Sequence, residues 1–117
     1  MNMKDEALGK DLHRLAELLH KYGHRGQADV VDQILRTLET LIPDYERLAG
    51  IDMWGGSGAV WEVCLTPRTS REQKADARSF LQTIIRIAAA MDRLKIGTDR
   101  SRSTAKILQW WLDKGIV

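Results

Sequence analysis

Four side chains near the start of the chain, His13, Glu17, His20 and His24, recur at spacings of four, three and four. Such spacing lets a helix stack ligands for a divalent metal along one broad face. A tetrahedral site would need a second group of His or Cys elsewhere, and the chain has none to offer. His13 and His20 also fall on the opposite side of a helix from Leu8, Leu15 and Tyr22, and Gly23 interrupts the helix before His24. The histidines therefore read as solvent-facing side chains, and no metal or other cofactor is expected. Cys64 has no base beside it in the sequence and reads as a buried structural thiol. Gly56-Ser57-Gly58 lacks both the spacing of a nucleophile elbow and the strand that precedes one. The carboxylates are scattered rather than paired. No catalytic residue is assigned, and the chain leans away from an enzyme.

The stretch of unusual backbone chemistry is Trp54 to Trp61, which puts three glycines and two tryptophans into eight residues. Gly55-Gly56-Ser57-Gly58 lacks the lysine and the spacing of a phosphate-binding P-loop, and it does not match the dinucleotide fingerprint. Its amides could still hold an anion. Alternatively, glycine is there because only glycine permits the dihedrals of a tight connection. Tryptophan is enriched at binding hot spots, so Trp54 or Trp61 could anchor a partner, or both could pack in the core. The candidate binding residues are Trp54, Gly55, Gly56, Ser57, Gly58, Trp61 and Glu62.

Over Gly55 to Val63 the chain resembles an uncharacterised family of small bacterial proteins. Their shared signature is approximately Gly-Gly-x-Gly-Ser-Leu-Asn-Asp-Leu after a helical hairpin. The likeness covers the glycines, small Ala59, apolar Val60 and Val63, and the acid at Glu62. It departs at Trp61, where the pattern has asparagine, and Glu62 is one methylene longer than aspartate. Members of that family look like immunity proteins or other accessory proteins encoded near polymorphic-toxin genes. The resemblance implies a protein partner and draws attention to Glu62, which would bond loop amides from inside or reach a basic group on that partner.

These residues need a scaffold, and the apolar spacing supplies one. Leu8, Leu12, Leu15, Leu19 and Tyr22, widened by Leu18, predict a helix from about Lys4 to Tyr22. A break at Gly23 to Gly26 leads into a second helix over Gln27 to Leu41, with Ala28, Val31, Ile34 or Leu35, Leu38 and Leu41 inward; the two should form an antiparallel hairpin. Pro43 to Ala49 reads as a short helix, with Tyr45 and Leu48 inward and Gly50 ending it. Ala59 to Leu65 suits a short helix or a strand, and a lone strand would lack a partner, so helix is favoured. Thr69 and Glu72 predict a capping box for a long helix from Ser70 to Lys95, stopped by Gly97. Phe80, Ile84, Ile87, Met91 and Leu94 form its stripe, and Ala88-Ala89-Ala90 permits close packing. A last helix spans Arg102 to Lys114, with Ile107, Leu108, Trp111 and Leu112 inward. The expected fold is all-α, a compact bundle of four main helices with one or two short helices and a central Gly-rich loop, forming one domain over 1–117.

With 117 residues and one cysteine, the chain can bury a core without disulfides, and a reducing compartment fits it. A charged start without a signal peptide's apolar run, and no long apolar window, point to the cytoplasm and away from a membrane. Residues 1–67 hold 7 Lys/Arg against 11 Asp/Glu, whereas residues 68–117 hold 11 against 5. The halves either complement each other when packed or leave a basic surface for nucleic acid. The run Arg93, Lys95, Arg100, Arg102, Lys106 near Trp110 lacks a nucleic-acid-binding grammar, which makes nucleic acid the weaker reading. The leading expectation is a non-enzymatic bacterial protein-interaction domain of the toxin-neutralising immunity type, centred on the glycine loop. The alternatives are an anion or small-ligand binder at that loop and a nucleic-acid binder through the basic half. Assembly with identical copies is compatible with all three.

Overall fold

The first helix shows how local chemistry sets the architecture of the computed structural model, which describes residues 5–115. Helix α1 (Glu6–Lys21) is opened by Asp5, whose carboxylate accepts the Leu8 amide at 3.0 Å. The expected start at Lys4 lies outside the described residues. Leu8, Leu12, Leu15, Leu18 and Leu19 are all fully buried, and burial of each contributes about 1.5–3 kcal/mol. Gly23 takes the left-handed conformation (φ 80°) after the helix, while the His24 amide reaches back to Leu19 O at 2.9 Å. That pattern of reversed bonds is why the helix stops there.

Helix α2 (Arg25–Leu38) begins two residues before the expected position, taking Gly26 into its first turn. It lies antiparallel to α1: His20 Nε2 meets Asp32 Oδ2 at 3.0 Å, and His13 Nε2 meets Glu39 Oε1 at 3.1 Å. Its inward side is Ala28, Val31, Ile34, Leu35 and Leu38. Leu41 is not part of that stripe. The helix ends at Leu38, the Asp44 amide turns back to Thr37 O, and Leu41 is left in solvent. Pro43 to Ala49 forms turns rather than the expected short helix: the Asp44 side chain takes the Glu46 amide, and a single bond of α-helical span, Ala49 to Tyr45, is followed by a tighter one, Gly50 to Arg47. Gly50 precedes a helix instead of ending one: α3 is the single turn Ile51–Trp54.

Tyr45 is half-buried, and its hydroxyl is sealed from water without a hydrogen-bond partner among the described residues. An unmet buried hydroxyl costs stability. Tyr45→Phe is expected to raise the free energy of unfolding by about 1 kcal/mol, with a thermal midpoint about 4 °C higher in circular dichroism melts. A fall instead would mean that the hydroxyl has a partner.

Helix α4 (Arg71–Arg93) is the longest element. Its capping box is offset by one residue from the expected pair: Ser70 Oγ accepts the Gln73 amide and Gln73 Oε1 accepts the Ser70 amide, both at 3.1 Å. Phe80, Ile84, Ile87 and Met91 are buried as the spacing predicts. The helix stops before Gly97. Lys95 adopts the left-handed conformation (φ 63°), with Ile96 N on Met91 O and Lys95 N on Asp92 O. Gly97 has a different role: a Cβ there would stand 1.8 Å from Asp92 Oδ1, the oxygen that accepts from Arg102. Thr98 then caps α5 (Asp99–Asp113) through a box with Ser101, so this helix starts three residues before Arg102. Leu108 and Leu112 are buried, whereas Ile107 is 42% exposed and off the inner stripe.

The helices α1, α2, α4 and α5 close around one continuous core, joined by Leu48, Met53, Trp54, Val60 and Leu65 from the long connection between α2 and α4. Among the described residues there is no strand, so the architecture is an all-α bundle of four main helices. No helix among the described residues is long and apolar enough to cross a membrane. Part of the charge split is neutralised by ion pairs across the surface of the bundle. Asp5 meets Arg93 at 2.8 Å and Asp11 meets Arg86 at 3.0 Å, tying the acidic face of α1 to the basic face of α4.

Candidate functional site

The glycine stretch folds from its hydrogen bonds outward. Trp54, at the end of α3, is only 2% exposed, and its indole N–H donates to Leu48 O at 2.8 Å. Trp54 is thus a core residue, and the surface of the loop is made without it. The Gly55 amide closes on Ile51 O, and a Cβ on Gly55 would come within 2.6 Å of that same oxygen. Only glycine fits. Gly58 has φ 87°, the left-handed region that side chains avoid. Gly56, by contrast, has open space around it. The Ala59 amide bonds to Gly56 O at 3.0 Å, and Gln27 Nε2 holds Gly58 O at 3.1 Å, lashing the loop to α2. Gly56, Ser57 and Gly58 are exposed. The loop leads into a three-residue 3-10 turn, Val60–Glu62, so no long helix stands behind its amides.

Beyond that turn the chain leaves Val63 in an extended conformation and has no regular secondary structure through residue 69, in place of the expected helix. Alternation survives without the sheet. Leu65 is buried and Trp61 and Val63 half-buried, whereas Glu62 and Cys64 are exposed. Cys64 is exposed and is therefore not the buried structural thiol expected, because the alternation that turns Leu65 inward turns Cys64 outward. Trp61 is held by a 2.7 Å bond from its indole N–H to Gly55 O. Glu62 reaches no loop amide, and among the described residues it has no ion-pair partner.

This segment walls a groove of about 210 Å³. Trp61 and Trp111 line it with Leu65, Ala77, Phe80 and Leu81, and Glu62, Cys64 and Arg68 are its polar contributors. Trp61 and Glu62, both predicted binding residues, lie in the groove, but the groove itself has no signature in the sequence. Its walls come from three elements far apart in the chain, and no spacing announces that they meet.

A second cluster joins α1 to α4. Asp76 is buried, and its carboxylate accepts from Lys21 Nζ at 2.7 Å, Tyr22 Oη at 2.8 Å and Arg14 Nη2 at 3.5 Å. The bond from Lys21, aided by Tyr22, holds the carboxyl below the usual aspartate range against the opposing effect of burial. Lys21 and Tyr22 are both raised in turn, Lys21 chiefly by that bond and Tyr22 chiefly by desolvation. Both oxygens of Asp76 face donors, so the cluster is a clamp between helices rather than a poised acid or base. His13, Glu17, His20 and His24 do not converge: His20 meets Asp32 of α2 and His13 meets Glu39 just past its end, and no group of three or more His, Cys, Asp or Glu among the described residues could share a metal ion. Compared with known proteins, the chain matches no family model, no curated sequence and no solved structure.

Proposed function

We propose that this chain is a non-enzymatic bacterial protein-interaction domain of the toxin-neutralising immunity type, and that its partner docks at the groove beside the glycine loop. The groove carries the reading: an apolar cleft with two tryptophans in its wall and a carboxylate and a guanidinium among its lining groups. Tryptophan-walled clefts are where binding energy concentrates in protein interfaces. Its volume of about 210 Å³ is below the roughly 300–1,000 Å³ of pockets that enclose a small molecule, and it suits one bulky side chain of a partner. Glu62 and Arg68 would set the orientation of that partner through complementary charges. The likeness of the loop motif to proteins encoded near polymorphic toxins supplies the partner class, a toxin domain. In this reading the glycines act indirectly, by letting Gly55 O receive the Trp61 indole and fix the wall.

Co-expression with the product of each neighbouring gene, followed by affinity purification, tests the proposal. The wild-type chain should retain one of them. The double variant Glu62→Arg/Arg68→Glu, changed only at exposed residues, should hold it about tenfold more weakly while keeping its helical spectrum. Failure to retain either product, or equal retention by the double variant, would remove this reading.

A further inference from the structure

A second surface lies outside the groove. Lys106, Trp110 and Lys114 follow at intervals of four, so they form one row along α5 with Ile107 beside it. Trp110 is 54% exposed, and among the described residues neither lysine has a carboxylate within ion-pair distance. The row thus presents an indole, with an aliphatic side chain beside it, and two cations that form no ion pair, although the exposed Asp113 carboxylate, held by Gln109 Nε2 at 2.9 Å, stands on the same side. Its chemical complement occurs in the same chain. The turn after α2 exposes Leu41 (85%) and Ile42 (86%) far more than the other aliphatic side chains of the hairpin. Asp44 and Glu46 follow them, exposed, and among the described residues no cation pairs with either carboxylate. Singly exposed apolar side chains are ordinary on a protein surface; here each group of them stands beside charges that form no ion pair.

We propose that the Leu41–Ile42 turn of one copy docks on the Lys106–Trp110–Lys114 row of a second copy, with Asp44 and Glu46 meeting the two lysines. The match is one of kind and number: two aliphatic side chains for an indole and an isoleucine, and two carboxylates for two ammonium groups. Nucleic acid fits the row less well, since a phosphate backbone would satisfy the lysines but leave Ile107 and the Leu41–Ile42 turn uncovered. A two-fold dimer would make this contact twice. The interface uses none of the groove's residues and so stands apart from the toxin-binding proposal.

Sedimentation velocity on the full chain, from about 10 μM to about 1 mM at low salt, tests it over the range where weak complexes report. The average mass should rise with concentration and fall back as added salt screens the charges. Leu41→Asp/Ile42→Asp and Trp110→Ala should each weaken association about tenfold or more. Lys106→Glu/Lys114→Glu and Asp44→Lys/Glu46→Lys should each abolish it alone, yet an equimolar mixture of the two should associate again. The seven substitutions in these four variants all fall on exposed positions, and unchanged melting curves would show that the fold is kept. A wild type that stays monomeric throughout overturns the proposal, as does association indifferent to these variants. Binding of a DNA duplex to the α5 row by a chain that remains monomeric would overturn it too.

Discussion

Trp54→Ala is expected to destabilise the protein by about 3–5 kcal/mol, the cost of removing a large ring from a well-packed core. The ring is buried among Leu48, Met53 and their neighbours in the single core, and its loss would also leave Leu48 O without its 2.8 Å donor. Urea denaturation should show the midpoint falling at an unchanged slope, and the thermal midpoint should drop by roughly 12–20 °C. A loss under about 1 kcal/mol would mean that the ring is not packed as described. The result bears on function. Weak partner binding by this variant would reflect a depleted folded state, whereas Glu62 and Arg68 can be changed without touching the core.

The second large effect belongs to Asp76. Asp76→Asn keeps the shape but removes the charge that Lys21, Tyr22 and Arg14 converge on, and should cost about 2–3 kcal/mol at neutral pH. The pH dependence has a definite sign. Because the folded carboxyl titrates below its ordinary value of 3.8, the unfolded chain binds the proton first as the solution is acidified. The stabilisation is therefore complete above the unfolded value and is lost as pH falls through the folded one. Asp5 acts in the same direction, lowered first by the Leu8 amide and then by Arg93. Urea midpoints measured between neutral pH and about pH 2 should show the wild type and Asp76→Asn converging below about pH 4, with the variant keeping only the shallower acid decline that comes from Asp5. A gap that stays constant across that range would show that Asp76 is not ionised in the folded protein.

The main helices were legible because each has its own local signature. The leucines of α1 recur every three or four residues, the α4 stripe does the same, and Gly23 sits where a left-handed residue is needed. Boundaries were less legible, since a cap is a choice between adjacent hydroxyls. Thr69 and Ser70 both precede an acid or amide three residues on, and only the register of the packed stripe selects Ser70. Leu41 has the spacing of a core residue but stands past the point where the chain turns away. The glycine loop was recognisable as an unusual backbone, yet the roles of its two tryptophans were not. Trp54 and Trp61 each donate to a carbonyl six residues away, but one ring enters the core and the other walls a groove. What separates them is contact with α4 and α5, which a local reading does not contain. Asp76 was invisible for the same reason, as its partners are 54 to 62 residues away in the chain.

The position of α1 between α2 and α4 has a consequence for the order in which the chain acquires structure. Its contacts with α2 close over short loops and are complete once Leu38 has left the ribosome, so the α1–α2 hairpin can form early at little entropic cost. The other face of α1 has to wait. Asp5, Asp11 and Lys21 meet their partners only when Arg93, Arg86 and Asp76 have been made, about half a chain later. Until then the leucines of α1 that belong against α4 have nothing to pack on, and those charges have no partners. The bundle therefore cannot be clamped shut until the second half of the chain exists.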